Sequence, residues 1–324
     1  MRYRELGKTG VKISEISFGA SSLGEEYGTI KPAEGERAVH YAIDNEINYF
    51  DVAPYYGGTL AEARLGQFLC TLRGRRNEII LATKMGRYKV TGGEKFGFSA
   101  ERVRSSLEES LRLLRTDYID IYQAHDIEFT HREQIINETL PAMYQLKKEG
   151  KVRFVGITGY PLYLLKDVAE KAEVDTILTY CRYNLMDTSM DEVLTPLARE
   201  KGIGLINASP LHMRVLSEKG APAWHPAPKK VLGAARKATV YCLRRGVNIS
   251  ELAMQFALAH EYVSTTLVGM SKTHNVARNL DMLEVPLKRK LLEEVMNIIK
   301  PVANICWEEG IPENFDPGAV PQQS

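Results

Sequence analysis

The 324-residue chain is poor in the features that mark out specialised classes of protein. Its four cysteines, Cys70, Cys181, Cys242 and Cys306, lie far apart and form no C-x-x-C pair, which argues against a disulfide scaffold or a cysteine-built zinc site. No apolar run approaches the roughly 18 residues needed to span a bilayer. The opening MRYRELGKTG has no apolar leader, so a cytoplasmic location with reduced thiols is expected, with no membrane partner. Charge of one sign is missing too: 42 Lys and Arg against 41 Asp and Glu leave a formal +1, and no block of like charges points to nucleic acid. The seven histidines are scattered without H-x-H or H-E-x-x-H spacing, so no metal site is expected. These absences leave a protein that acts on a small, uncharged molecule.

What is present, 44% hydrophobic and 26% charged residues, suffices for a large core in one big domain or two ordinary ones. Short β-branched or aliphatic runs alternate with stretches of helical period. YRELGKTGVKISEI reads as a small hairpin with Thr-Gly in its turn. ISFGA is then a first buried strand, followed by a helix over KPAEGERAVHYAIDNE with Pro32 near its start. The next pairs are INYFD with LAEARLGQFLCTL, EIILATK with SAERVRSSLEESLRLLR, YIDIYQAH with REQIINETLPAMYQLKKEG, VRFVGIT with PLYLLKDVAEKA, and DTILTYCRYN with MDEVLTPLAREKG. IGLINASPL takes PKKVLGAARKATVYCLRRG as its helix, and STTLVGM takes THNVARNLDML. In the third pair Ser99 is the expected N-cap, and Val103, Leu107, Leu111 and Leu114 form the apolar stripe. Eight such pairs, with strands reading as near-continuous apolar runs, predict an α/β fold: a closed (β/α)8 barrel of the TIM type. A doubly wound sheet is the alternative, weakened because no G-x-G-x-x-G turn follows the first strand. Outside the eightfold count lie the N-terminal hairpin, the loop HMRVLSEKGAPAWHPAP and an extra C-terminal helix near KRKLLEEVMNIIKPVANI. The polar, Pro-rich end EEGIPENFDPGAVPQQS is expected to be partly mobile.

In such a barrel the C-terminal ends of the strands carry chemistry. Strand two closes with Asp51, strand three with Lys84 and strand four with His125, and Tyr56 sits five residues beyond Asp51 in the turn before Gly57-Gly58. Alone, a lysine there is a solvated rim charge, a histidine a hydrogen-bonded structural residue, and a tyrosine after proline a packing residue. The combination at matching strand ends carries the reading. A buried aspartate needs a cation, and Lys84 is the partner expected for Asp51. The lysine ammonium in turn favours the phenolate of Tyr56 and is expected to bring its pKa down from near 10 toward the working range. His125 is placed to donate a hydrogen bond to a reacting oxygen. This set moves a proton on or off an alcohol or carbonyl oxygen but holds no nucleophile and no hydride source, so a cofactor is needed.

FDVAPYYGGTLAEARLG, Lys84 in ATKMGRY, His125 in YQAHD, GITGYP, ASPLHM and VGMSKTHNVARNL resemble the successive signatures of the aldo-keto reductases, over residues 3 to about 285. More narrowly, APYYGGTLAE, HDIEF, GITGYPL, AWHPA and LVGMS are similar to the members that oxidise L-galactose, L-fucose or D-threo-aldoses at C1. The resemblance implies one barrel domain over residues 1–324, its core at about 3–285 and a C-terminal helix and tail at 286–324. It implies a nicotinamide cofactor extended across the barrel mouth, with Tyr56 as acid–base, Lys84 and Asp51 tuning it, and His125 orienting substrate. Carried over residue by residue, the implied cofactor site is Ala20, Ser21, Asp51, Thr158, Gly159, Tyr180, Ser209, Leu211, Met213, Gly269, Met270, Ser271, Lys272, Asn275, Arg278 and Asn279.

Several of these depart from the family pattern. Thr158 stands for the usual serine and Gly159 for the usual asparagine that hold the carboxamide. Tyr180 stands for a glutamine, and Ala208 for the aromatic residue that stacks on the nicotinamide. Basic residues that grip a 2′-phosphate are absent at Gly269 and Asn275, although Lys272 and Arg278 lie close by, so NAD is expected rather than NADP. An NAD-linked member is expected to oxidise, and the substrate implied is an aldose, L-galactose first, converted at C1 to its lactone. L-fucose or another aldose, and NADPH-linked aldehyde reduction, are the alternatives. Tyr56, His125, Asp126 and Trp224 are the implied sugar contacts, with Glu128, His212 and His225 as further loop candidates. Asp126 has an alternative reading as a cap, and Trp224 as an anchor of its long loop. A metal-dependent hydrolase and a non-catalytic nucleotide-binding partner protein share parts of the pattern. The chain is expected as a monomer or a homodimer.

Overall fold

Ten strands appear in the computed structural model, which describes residues 1–72, 74–89 and 95–322. Two form the N-terminal hairpin, β1 (Tyr3–Glu5) and β2 (Lys12–Ser14). The others are parallel: β3 (Ile16–Gly19), β4 (Tyr49–Asp51), β5 (Ile80–Met85), β6 (Ile119–Ala124), β7 (Val152–Gly159), β8 (Thr176–Tyr180), β9 (Gly204–Ala208) and β10 (Thr265–Gly269). They run in sequence order and β10 pairs back onto β3, which closes the predicted barrel.

Burial on both faces explains the apolar strands. Inside the barrel Tyr49, Ala82, Ile121, Leu178, Ile206 and Leu267 pack together with Leu6 and Ile13 of the hairpin, which therefore plugs the bottom. That plug needs glycine at position 7. Its backbone is left-handed at φ +53°, and a Cβ there would sit 2.4 Å from the Gly202 carbonyl oxygen. Outside, strand residues such as Phe50, Leu81, Val155 and Ile177 meet Leu65, Val103, Leu107 and Leu165 from the surrounding helices. The Ser99 side chain caps helix Ala100–Leu114, accepting from the Arg102 amide at 3.2 Å, and the predicted stripe is its buried face.

Three elements differ from expectation. The helix predicted over 132–150 is a short turn Arg132–Gln134, a π turn Ile135–Thr139 and a helix Leu140–Lys148. Pro141 has no amide to give and its ring crowds the preceding turn, so the wider π turn comes before it. Two helices, not one, separate β9 from β10: Lys229–Leu243, which the sequence suggested, and Ile249–Leu258, which it did not. Met254 and Leu258 of the second join the cluster around the barrel, whereas Lys229–Leu243 packs with Arg289–Ile299 and Trp307 in a separate cluster. The second helix is apolar almost all round, so it carries no one-sided stripe to read.

The third correction concerns the chain end, which is pinned rather than loose as far as residue 322. Trp307 is buried and stacks on Tyr160 with ring centres 4.2 Å apart. Asp316 accepts from the first amides of helix Leu162–Lys171, those of Leu162 and Tyr163, each at 3.0 Å, and pairs with buried Arg182 at 3.0 Å. A carboxylate at a helix N-terminus answers both the orphan amides and the dipole. Polar composition misled here because a few buried polar contacts, rather than apolar area, hold the segment.

Candidate active site

Asp51, Lys84 and His125 arrive together at the mouth because β4, β5 and β6 are neighbours in register. Tyr56 reaches them through a close backbone approach. Gly57, left-handed at φ +66°, lies where a Cβ would meet the Gly24 carbonyl oxygen at 2.5 Å, so the turn after β4 packs tightly on the turn after β3. Asp51 and Lys84 are both 1% exposed and form an ion pair. The ammonium also donates to the Val52 carbonyl at 2.9 Å and to the Tyr56 hydroxyl at 3.5 Å. The His125 ring stands edge-on to Tyr56 with centres 5.9 Å apart, and its Nδ1 is buried without a partner among the described residues.

Electrostatics correct one expectation. Burial is the largest influence on Tyr56 and pushes its pKa well above the ordinary value; Asp51 and Asp126 push the same way, and Arg87 opposes them. Lys84 does not bring the phenol into the working range because burial, with the carboxylates of Asp51 and Asp126 beside it, outweighs the ammonium. Burial likewise lowers the His125 pKa to about 3, with Lys84 and Arg87 assisting and Asp126 opposing. His125 is therefore neutral at physiological pH. Burial alone would raise Asp126, but the adjacent His125 ring, the Arg87 ion pair and the Thr158 hydroxyl outweigh it and hold its carboxyl below the usual value.

These groups open on a cavity of about 560 Å³. Of the expected cofactor residues, Ser21, Thr158, Tyr180, Ser209 and Met213 line it, and Asp51 lies directly behind Lys84. Thr158 is already engaged, its hydroxyl accepting from the Asp126 amide at 3.0 Å and donating to the Asp126 carboxylate at 3.2 Å. Ala20, Gly159 and Leu211 are not in the lining. Gly159 packs against Glu128, where a Cβ would come within 2.7 Å of its carboxylate. Gly269, Met270, Ser271, Lys272, Asn275, Arg278 and Asn279 sit on the end of β10 and the helix Thr273–Asp281, outside this cavity. Gly269 continues the rim from β3, since the Ser22 and Ser21 hydroxyls lie 3.0 and 3.7 Å from where its Cβ would be. Met270 is fully buried. Lys272 pairs with Glu34 at 3.5 Å and Arg278 with Glu251 at 3.2 Å.

Of the expected sugar contacts, Asp126 and half-exposed Trp224 line the cavity. Glu128 does not: it is buried under the chain end, its carbonyl accepting from Ile311 and Asn314. His212 and His225 are also buried, stacked 5.5 Å apart behind the wall. Sequence reading missed Arg87, Tyr27, Tyr55, Trp307 and Glu309 in the lining, and Gln123 and Tyr49 beneath it. Gln123 donates to Asp51 at 2.9 Å and Tyr49 at 3.4 Å, completing its shell. Alternation held a usable signal: Gln123 precedes His125, and Tyr49 precedes Asp51, by two residues on the same strand face. The backbone just past β6, β8 and β9 is left-handed at non-glycine residues, Asp126 (φ 53°), Cys181 (φ 62°) and Ser209 (φ 57°). Such conformations cost about 1–3 kcal/mol each and gather at working sites.

Among the described residues no cluster of His, Cys, Asp and Glu is arranged to hold a metal ion, and no helix is long and apolar enough to cross a membrane. The chain belongs to the aldo-keto reductase family of oxidoreductases, whose sequence profile matches residues 15–300. It is 44% identical over 318 residues to the L-galactose dehydrogenase of Arabidopsis thaliana, covering 96% of this chain and 98% of that one. It is 29% identical over 325 residues to the D-arabinose 1-dehydrogenase of Saccharomyces cerevisiae, covering 93% and 95%. An aldo-keto reductase from Bacillus halodurans, solved in its holo form, superposes with a TM-score of 0.78 at 29% identity over 95% of this chain and 99% of that one. Members of this family bind nicotinamide cofactors.

Proposed function

We propose that the protein oxidises an aldose at C1 with NAD, L-galactose being the favoured substrate and L-galactono-1,4-lactone the product. The supporting observation is the Tyr56 hydroxyl 3.5 Å from a lysine ammonium that is ion-paired to a buried aspartate, at the wall of a cavity large enough for a sugar. The similarity to the L-galactose dehydrogenase supports the choice of sugar.

Ser21, Ser209, Met213 and the Gly269 rim fit a dinucleotide, being backbone and hydroxyl groups along one groove edge. When bound, oxidised nicotinamide supplies the hydride acceptor and a positive charge that favours a phenolate. Tyr56 takes the proton of the C1 hydroxyl. Lys84, anchored by Asp51, offsets the charge that develops on the phenol oxygen. Neutral His125 holds the sugar oxygen by a hydrogen bond without competing for its proton. NAD rather than NADP is supported because Lys272 and Arg278 already pair with Glu34 and Glu251.

A panel of L-galactose, L-fucose and D-arabinose, each with NAD and NADP, tests this by the absorbance of reduced nicotinamide. The highest kcat/KM is expected for L-galactose with NAD. Absence of turnover with every aldose, or a tenfold or greater preference for NADP, rejects it.

A further inference from the structure

Among the described residues every cation on the cavity wall is already answered by a carboxylate. Lys84 pairs with Asp51, Arg87 with Asp126, and Lys89 with Glu26 at 2.9 Å. Glu25, on the same wall, is met by Arg64 at 2.9 Å. Glu309 is different: burial raises its pKa, and the Arg87 guanidinium, already paired with Asp126, acts on it only from beyond ion-pair range. Among the described residues it has no cation partner, and its carboxylate receives two neutral donors, Trp307 Nε1 at 3.2 Å and Gln322 Nε2 at 2.8 Å, both on Oε2. Among the described residues Oε1 is left without a protein donor, on a residue that lines the cavity. The segment carrying it is fixed by Asp316 and by the Trp307–Tyr160 stack, so the carboxylate is held in place.

We infer that Glu309 sets substrate class: its Oε1 accepts a hydroxyl of a neutral sugar, and its carboxylate, which has no ion-pair partner, rejects phosphorylated or carboxylated aldoses, which find no free cation among the described residues of the wall. The inference rests on the proposed aldose oxidation. A hydroxyl donates to a carboxylate at little cost, whereas a second anion meets like charge in a partly dry cleft. Arg87 is no anion trap here, because Asp126 neutralises it and the Tyr55 and Phe129 rings, 4.4 and 4.8 Å from its guanidinium carbon, sandwich it.

The test compares L-galactose oxidation with reduction by NADH of a matched pair, glyceraldehyde and glyceraldehyde 3-phosphate, in wild type, Glu309→Gln and Glu309→Asp. Wild type is expected to favour glyceraldehyde by roughly 100-fold in kcat/KM. Glu309→Gln is expected to narrow that ratio to within about tenfold and to raise the KM for L-galactose by about five- to tenfold while kcat stays within about twofold. Glu309→Asp keeps the charge and is expected to keep the ratio. NADH affinity, followed by its fluorescence, is expected to be unchanged in both variants, which separates specificity from a collapsed pocket. A wild-type ratio near unity, an unchanged ratio in Glu309→Gln, or equal narrowing in Glu309→Asp overturns the inference. Failure of wild type to oxidise any aldose overturns the functional reading first, and this inference with it.

Discussion

Two buried aspartates at opposite ends of the barrel show what separates structural charge from working charge. Asp120, near the bottom of β6, is fully buried and accepts from Arg76 and Leu81 at 2.9 Å each and from Arg153. Asp51, at the top of β4, meets a single lysine together with Gln123 and Tyr49. The bottom uses two arginine forks whose outer atoms reach water, so its charge is over-answered and immobile. The top uses one compact, almost wholly buried ammonium at the cavity wall, and that ammonium still has a hydrogen bond to give, to Tyr56. A lysine shared between an acid and a phenol responds to proton transfer; a guanidinium clamp does not.

The comparison can be broken most forcefully at Tyr56. Tyr56→Phe is expected to cut kcat by roughly 10²–10⁴-fold, the usual contribution of a general acid–base group, with cofactor affinity by fluorescence titration nearly intact. Near-normal turnover would remove the acid–base role. Next is Lys84→Met, expected to destabilise the fold by about 3–5 kcal/mol in denaturant titration because Asp51 is left buried without its cation. Loss of that cation also disfavours the phenolate, so the rising, acid-side limb of the pH–rate profile for aldose oxidation is expected to move to higher pH; an unmoved limb argues against coupling between the two groups.

Acid sharpens the contrast. Burial lowers the pKa of both His125 and His212, at the mouth end, to about 3. Below about 6.5 the unfolded chain binds protons at these rings that the native protein does not, so stability is lost as pH falls from there toward about 3. At pH 5 the loss is roughly 2 kcal/mol for each ring, measurable as a falling Tm. His125→Gln, which does not titrate, is expected to flatten that fall, and an equally steep fall would place the sensitivity elsewhere. The smallest effect is expected at the bottom. Asp120→Asn is expected to cost about 1–3 kcal/mol, since both arginines can turn to solvent, while kcat/KM and the pH profile stay as in wild type. A changed pH profile there would erase the distinction between the two ends.

Much of this was legible because barrel strands are regular. Apolar runs of fixed length gave the strands, and the residue closing each run gave Asp51, Lys84 and His125 without knowledge of their contacts. What escaped had no local signature. Arg87 and Glu309 come from a loop and from the chain end, and only closure of the fold brings them to one wall. Helix Ile249–Leu258 is buried on nearly every side and so lacks a stripe. Tyr56 is legible as a residue but its protonation is not, because the burial that raises its pKa, with Asp51 and Asp126 assisting, depends on how the loops close over the mouth.

A single accessible thiol would orient the purified enzyme on a surface. Of the four thiols Cys70 alone is exposed, at the end of helix Leu60–Cys70, which runs from the mouth back to the bottom of the barrel. A maleimide-bearing bead or electrode would therefore grip the protein by its base. Every immobilised molecule would face the same way, with its opening turned to the bathing solution.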